Sequence, residues 1–225
     1  MKRVLLVLLI SLPGLVPTHA GTIVGIVRAE GKAGAEREPA SGAYESRKFK
    51  FAEKVDYKEL RDFVVYVDQP LGEKPVPPAK PLQVVVQKDA TFTPHVLPVV
   101  VGTTVEWPNK DEIYHNAFSF SDAKPFDLGL YKEQTKSVTF DKPGRVDIFC
   151  SIHTTMHCIV LVLENPFFAS ADAKGQYRIE NVPAGTYRLK AWHERLPSAV
   201  KEVIVPEKGE VRVDFLLGIK GLPQY

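Results

Sequence analysis

Cysteine is scarce in this chain, and the sequence motifs of several common enzyme classes are missing. Only Cys150 and Cys158 occur among the 225 residues, and there is no Cys-x2-Cys-His motif for covalent attachment of a c-type haem. Gly-x-Ser-x-Gly, His-Glu-x2-His and a glycine-rich phosphate loop are also absent. From these absences we expect that the protein is not an enzyme.

A surplus of charge of either sign is also missing. The formal net charge is +2, but two of the 29 basic residues, Lys2 and Arg3, lie in the first twenty residues, which carry no acidic residue. Without them 27 basic residues remain, the same number as the acidic residues. A neutral chain gives no electrostatic case for binding nucleic acid or an anionic membrane.

Long apolar runs are absent except near the N-terminus. There, two basic residues precede a short apolar run, Val4 to Val16, and Thr18-His19-Ala20 offers small residues at the two positions that a signal peptidase recognises. The run is too short to span a bilayer comfortably. Residues 1–20 are therefore predicted to be a secretory signal peptide, with an uncleaved anchor as the alternative. We expect a periplasmic protein without membrane insertion after signal cleavage.

Short apolar-alternating segments with Gly and Pro turns recur along the chain. Every second residue is apolar over 146–150 and 211–215, and Thr103, Val105 and Trp107 share one face in the same way, which is the period of a strand with one buried face. Many short strands at close spacing predict an all-β sandwich fold.

The strand pattern is interrupted and then restarts, which predicts two domains after the signal peptide. We expect residues 21–165 to form the first domain, with an inserted segment near 30–61 and a proline-rich connector at 69–81. Residues 166–225 form a second β-sandwich of about sixty residues, close to the lower size limit for independent folding.

One stretch concentrates soft metal ligands. Cys150, His153 and Met156 lie within seven residues, and His115 lies upstream. Thiolate and thioether select Cu(I), imidazole suits both copper states, and two His and one Cys with a weak axial Met form the blue-copper set used for electron transfer. The sequence therefore predicts one mononuclear copper site that moves single electrons between redox partner proteins.

Two features leave alternatives open. In an oxidising compartment Cys150 and Cys158 could instead form a disulfide across a seven-residue loop, which would remove the thiolate from the copper site. His157 follows Met156 directly and could compete as a ligand, or could be a polar residue at the start of a strand. His95 precedes a strand and is more often a packed or capping residue than a ligand.

The stretch that carries these residues resembles the cupredoxins, the family of plastocyanin and amicyanin. The resemblance covers roughly residues 82–165 and rests on Gly102-Thr103-Thr104-Val105-Glu106-Trp107, Asn109-Lys110-Asp111, His115-Asn116 and Cys150-Ser151-Ile152-His153-Thr154-Thr155-Met156. It implies a Greek-key β-sandwich with a type 1 copper site, in which His115, Cys150 and His153 are equatorial ligands and Met156 is axial. It also implies that Asn116 and Ser151 tie the two ligand loops together. Ile152 stands where the best-known members have Pro.

The C-terminal part resembles a second family. The pattern Asp172-x2-Gly175-x-Tyr177-x-Ile179-x2-Val182-Pro183-x-Gly185-x-Tyr187-x-Leu189 is similar to the carboxypeptidase regulatory-like domain, a transthyretin-like sandwich without catalytic residues. The pair of domains resembles a group of bacterial exported proteins often labelled methylamine utilization proteins.

Three functional hypotheses follow. The first is a periplasmic electron carrier that cycles between Cu(II) and Cu(I). The second is a copper-binding protein for delivery, storage or sensing. The third is an interaction module without metal, in which Cys150 and Cys158 form a disulfide.

Overall fold

The computed structural model describes residues 20–31, 57–71 and 82–218, and no helix occurs among them. The predicted all-β class is confirmed. None of the described residues forms a helix with the length and hydropathy that crossing a bilayer requires.

Several predicted segments lie wholly or mostly outside the described residues. These are the signal peptide at 1–20, of which only Ala20 is described, the inserted segment near 30–61 and the connector at 69–81.

Eighteen strands are present in the described residues. The first nine are β1 (Ala20–Ala29), β2 (Val64–Val67), β3 (Gln83–Val84), β4 (Val86–Lys88), β5 (Thr91–Thr93), β6 (Val96–Val100), β7 (Thr103–Pro108), β8 (Phe118–Ser119) and β9 (Phe126–Asp127). The others are β10 (Thr135–Phe140), β11 (Gly144–Phe149), β12 (His157–Leu163), β13 (Phe168–Ser170), β14 (Gln176–Pro183), β15 (Gly185–His193), β16 (Leu196–Val205), β17 (Glu210–Arg212) and β18 (Phe215–Leu217).

Strands β3 to β12 form what we call the central unit. One sheet has the order β6-β12-β11-β8-β9, a second has the order β10-β7-β3, and β4 and β5 form a hairpin. Alternate residues of the two sheets point into one shared core, which includes Trp107, Phe140, Ile148 and Val160. Because the apolar residues recur at every second position, each strand buries one face against the opposite sheet.

The remaining strands form what we call the flanking unit. One sheet has the order β14-β1-β17, with β18 also paired to β1, and the other has the order β13-β2-β15-β16. The two sheets share a second core, which includes Ile23, Val67, Ile179 and Leu189.

The first domain does not begin where the sequence predicted. We expected residues 21–67 to belong with the strands that follow them, but β1 pairs with β14, β17 and β18, and β2 pairs with β13 and β15. The boundary at 21 is therefore wrong, because both N-terminal strands belong to the flanking unit. Period-two alternation identifies a strand with a buried face, but it carries no information about which distant strand is its partner.

A third apolar cluster joins the two units. Ile159, Leu161 and Leu163 on the outer face of β12 are buried against Val64 and Tyr66 of β2. Strand β12 is thus buried on both faces, which explains why it is apolar at nearly every position instead of alternating.

Candidate metal centre

His115 lies in the loop between β7 and β8 and is completely buried. Its backbone is fixed by a pair of hydrogen bonds with Tyr131: the His115 N–H donates to the Tyr131 carbonyl at 3.1 Å, and the Tyr131 N–H donates back at 2.8 Å. The backbone of the loop is therefore restrained at His115 by a pair of hydrogen bonds like those that join two strands.

Asp111 orients the His115 ring. A two-residue turn, Asp89-Ala90, has positive φ at both positions and closes the β4–β5 hairpin. The two N–H groups of this turn donate to the two carboxylate oxygens of Asp111, at 2.8 and 3.0 Å. Oδ2 of Asp111 in turn lies 2.7 Å from Nε2 of His115.

The surroundings of Asp111 keep it ionised. Burial opposes ionisation, but the hydrogen bonds from Ala90, from His115 and from Asp89 outweigh it and lower the pKa of this carboxyl group. A carboxylate accepts the proton of Nε2, which leaves the lone pair of His115 on Nδ1. This role of Asp111 was not predicted from the sequence. Its only sequence signal was a carboxylate four residues before a ligand histidine.

The other three predicted ligands lie at the end of β11 and in the loop that leads to β12. The Cys150 N–H donates to the Met156 carbonyl at 3.3 Å, and the Met156 N–H donates to the His153 carbonyl at 3.0 Å. These bonds close the loop into a compact turn. The predicted link between the two ligand loops is present, since Asn116 Oδ1 accepts from the N–H and the hydroxyl of Ser151 at 2.8 and 3.0 Å.

Three electron-pair donors converge on one point. Nδ1 of His115 and Nδ1 of His153 are 3.0 Å apart, and the Cys150 sulfur lies 4.0 Å from the first and 3.7 Å from the second. Cys150 is buried with 5% exposure, while His153 is partly exposed. Lone pairs that face one another at these distances repel unless a proton or a cation lies between them.

These donor atoms fit a small thiophilic cation. With bonds of about 2.0–2.1 Å to nitrogen and about 2.3 Å to sulfur, trigonally arranged ligand atoms lie about 3.5–3.8 Å apart. The sulfur–nitrogen separation of 3.7 Å to His153 matches this spacing, that of 4.0 Å to His115 is slightly longer, and the nitrogen–nitrogen separation of 3.0 Å is shorter. Two imidazoles and one thiolate are the donor set that copper accepts in both of its oxidation states.

Met156 is buried in the same core cluster as Cys150, with 1% exposure. Its backbone bonds to Cys150 and His153 keep it in the same turn as two of the three donor residues, and its role as a fourth ligand stays a prediction.

The two cysteines are free thiols, and the alternative of a disulfide is not realised. Cys158 pairs with Ile148, so Cys150 lies two residues farther along β11. Such diagonal neighbours are about 7–8 Å apart, and a disulfide bridges at most about 7 Å without backbone movement. Burial, together with the charge of Asp147, raises the pKa of the Cys158 thiol well above its usual value, so this residue stays a neutral core side chain.

His157 does not join the three donors. It is the first residue of β12, and its ring stacks on Phe149 with ring centroids 4.8 Å apart. Its Nε2 lies 3.0 Å from Oδ1 of Asp147. His157 therefore lies at the start of a strand and outside the group of three donors. Tyr131, whose backbone pairs with that of His115, is buried, and burial raises its pKa to about 12.

Comparison with known families gives one match. Residues 164–213 match the family described as Polysaccharide lyase family 4, domain II. This is a different family from the carboxypeptidase regulatory-like one, so the predicted identity of the second domain stays a prediction. No curated protein matches the chain.

Solved structures similar to this chain include several copper proteins. The copper-containing nitrite reductase (NirK) from Thermus scotoductus SA-01 is 30% identical over 43% of this chain and 25% of its own, with a TM-score of 0.36. The Cu(I) form of an amicyanin mutant, in which a methionine is replaced by alanine, is 25% identical over 44% of this chain and 98% of its own, with a TM-score of 0.35. A purple cupredoxin from Nitrosopumilus maritimus is 23% identical over 36% of this chain and 99% of its own, with a TM-score of 0.33.

This chain thus spans a quarter of the length of the nitrite reductase, and each likeness covers less than half of this chain. The assignment of function rests for this reason on the side-chain geometry described above.

Proposed function

We propose that this chain is an exported copper protein that carries single electrons between redox partners. His115, Cys150 and His153 are the principal ligands of one copper ion, and Met156 is the weak fourth ligand. The observation that carries the proposal is the convergence of two Nδ1 atoms and one sulfur at 3.0 to 4.0 Å, inside a largely buried pocket. Bound copper supplies one-electron chemistry through its Cu(I) and Cu(II) states.

The protein holds the donor atoms in place independently of the metal's oxidation state. Asp111 fixes the proton of His115 on Nε2, and the Asn116–Ser151 hydrogen bonds hold the second ligand loop against the first. Side chains that are locked by hydrogen bonds and packing move little when the charge of the ion changes. Small movement on oxidation and reduction is what fast electron transfer requires.

The surroundings of His153 provide a route to a partner. It is the predicted ligand that reaches the surface, and three exposed apolar side chains lie within two residues of a predicted ligand in sequence: Ile113, Tyr114 and Ile152. A fourth, Leu130, adjoins Tyr131, whose backbone is hydrogen-bonded to that of His115. Exposed apolar groups next to a partly exposed ligand favour a short-lived contact with another redox protein. The partner class is therefore a protein with an apolar face around its own redox centre.

The remaining parts of the proposal rest on the sequence. Residues 1–20 direct export to the periplasm, and the chain carries electrons without catalysing a reaction of its own. The sequence has one set of copper ligands of this kind and no second copper constellation, which argues against multicopper oxidase chemistry.

Voltammetry in the presence of a chelator separates an electron carrier from a delivery protein. The copper-loaded chain, residues 21–225, is cycled repeatedly between its two states with a Cu(I) chelator in solution. A carrier gives a reversible wave that persists, because the same ligands hold both states. If the wave decays steadily while copper accumulates on the chelator, the protein releases its ion on reduction, and the carrier proposal would be wrong.

A further inference from the structure

A second group of ligand side chains lies on the other face of the β11–β12 pair. His95 precedes β6, His157 begins β12, and Glu194 lies in the turn between β15 and β16. One ligand atom from each of the three residues lies within 4.8 Å of the other two. Two of the residues belong to the central unit and the third to the flanking unit, so the group spans the junction of the two units.

The hydrogen bonds of His95 leave one of its nitrogens without a suitable partner. Nδ1 lies 3.2 Å from the carbonyl oxygen of His157, and Nε2 lies 2.9 Å from Oε1 of Glu194. Both neighbours are oxygen acceptors, whereas a neutral imidazole has a single N–H to donate. The arrangement is satisfied by a doubly protonated ring, or by a neutral ring that shares a cation with Glu194.

His157 is oriented in the way that ligand histidines commonly are. Its Nε2 lies 3.0 Å from Oδ1 of Asp147, and its ring is stacked on Phe149. When the carboxylate accepts the Nε2 proton, Nδ1 carries the lone pair. The ring is also held in place by the side chain beneath it, so its rotation is restricted before any ligand arrives.

The charges around the group favour a cation. Asp147 and Glu194 are two carboxylates, and Arg145 is the cation that faces them. The Arg145 guanidinium makes two hydrogen bonds to Asp147, at 2.8 and 2.6 Å, and so is directed at that carboxylate. The side chains are 20 to 34% exposed, which leaves an approach for an ion from solvent.

We propose that His95, His157 and Glu194 form a second metal site, for a divalent ion of the zinc class, that joins the two units. Two imidazoles and one carboxylate are a donor set that Zn²⁺ uses with one position left for water. The group contains no thiolate or thioether, so it lacks the donors that select Cu(I) and that distinguish the first site. Tetrahedral ligands lie about 3.4 Å apart at these bond lengths. The three donor atoms lie within 4.8 Å of one another, so rotation of the side chains would bring them to that spacing.

Zinc titration of a chain without the first site tests this proposal. Isothermal titration calorimetry with Zn²⁺ is carried out on residues 21–225 carrying Cys150→Ala, which removes the thiolate of the first site. We expect one zinc ion per chain. His95→Gln and Glu194→Gln, each added separately, should weaken zinc binding by at least about tenfold, because each removes one of three ligands. Glu202→Gln, an exposed carboxylate on β16, is the matched control and should change nothing.

The outcomes distinguish this proposal from the one above. Zinc binding that survives both His95→Gln and Glu194→Gln, or no zinc binding by the Cys150→Ala chain, would overturn the second site without bearing on the copper site. Binding lost in His95→Gln but kept in Glu194→Gln would overturn the claim that the ion joins the units. Thermal unfolding gives a second readout: zinc should raise the midpoint of the Cys150→Ala chain but not that of the chain with Glu194→Gln as well.

Discussion

The central and flanking units are both built from two packed sheets, but they are assembled from the chain in opposite ways. The central unit is one continuous stretch, from β3 to β12, and its proposed ligands come from two loops at one end. The flanking unit combines both ends of the chain: Val24 of β1 pairs with Arg178 and with Arg212. The proposed site of the central unit is therefore built from segments that lie close together in the sequence. The flanking unit, in contrast, depends on pairing between strands that are far apart in the sequence.

The two units also differ in what their buried polar groups do. In the central unit His115, Asn116 and Asn109 are buried and hydrogen-bonded around the proposed site. In the flanking unit the buried Asn165 binds the backbone carbonyls of Val67 and Gln69, and so fastens one strand. These buried polar groups of the first unit surround the proposed site, whereas Asn165 in the second unit binds backbone groups of a neighbouring strand end.

The largest expected effect separates the two cysteines of the central unit, one at the proposed site and one in the core. Cys150→Ala should abolish the intense thiolate-to-copper absorption completely, because no other thiol faces the site. Cys158→Ala should keep that absorption, since Cys158 is a core residue. Visible spectra of both variants with stoichiometric Cu(II) are the measurement. An unchanged band in Cys150→Ala would contradict the ligand assignment.

Most of the proposed site, but not all of it, could be predicted from the sequence. Cys150, His153 and Met156 lie in one short segment, so their spacing alone limits how they can be arranged. Asp111 was missed because its role depends on the turn at Asp89-Ala90, which reaches it only in the folded sheet. A two-residue turn can be recognised locally, but the carboxylate that its N–H groups bind cannot.

For the fold, too, local features could be predicted from the sequence, but contacts between distant segments could not. The strands of the central unit follow one another in the chain, and alternation of apolar residues located them. Strands β1 and β2 were assigned to the wrong unit because their partners lie more than a hundred residues away. The cluster of His95, His157 and Glu194 gave no sequence signal, since its members come from three separate segments.

A glycine in β1 tests how far the flanking unit depends on the N-terminal strand. A Cβ atom on Gly25 would lie 1.8 Å from the backbone oxygen of Val213, an overlap that requires a backbone shift. Gly25→Ala should therefore destabilise the protein by about 3 kcal/mol. This exceeds the gain of about 0.4–1 kcal/mol that replacing glycine gives by restricting the unfolded chain.

Thermal unfolding by circular dichroism measures this loss, and the copper absorption is recorded in the same sample. Thr22→Ala, a half-buried residue of the same strand, is the control. The colour at room temperature should be unchanged, because all the ligands lie in the central unit. Equal stability of Gly25→Ala and the unchanged chain would contradict the close packing of β1 against the segment after β17.

Removing the carboxylate behind His115 should weaken the copper site without abolishing it. Asp111→Asn should lower copper affinity by about 10- to 100-fold, the usual effect of losing a partner that orients a ligand histidine. Competition with a chelator of known affinity measures the change. Asp141→Asn, an exposed carboxylate bonded to Lys124, is the control. If both variants bound copper equally well, Asp111 would have no orienting role.

The smallest expected effect concerns an exposed carboxylate of the flanking unit. The pKa of Asp214 is lowered by its hydrogen bond from Arg212 and by the N–H of Ile26. A depressed folded-state pKa stabilises the fold above the ordinary pKa of 3.8, and this contribution disappears as the pH falls through the folded-state value. Asp214→Asn should thus be less stable than the unchanged chain near neutral pH.

Urea unfolding at about pH 7 and about pH 2–3 measures this dependence. The gap between Asp214→Asn and the unchanged chain should narrow at the lower pH, while Asp122→Asn in the central unit serves as the control. A gap of constant size would mean that the Asp214 charge does not support the pairing of β1.

The central claim is that Cys150 binds copper as a thiolate beside His115 and His153. It is tested most directly by the visible absorption and electron paramagnetic resonance spectra of residues 21–225 with stoichiometric Cu(II), after the free thiols have been counted in the same sample. We expect two free thiols, an intense thiolate-to-copper band and a narrow copper hyperfine splitting. A colourless protein without free thiols would show a Cys150–Cys158 disulfide and contradict the proposed electron-transfer function.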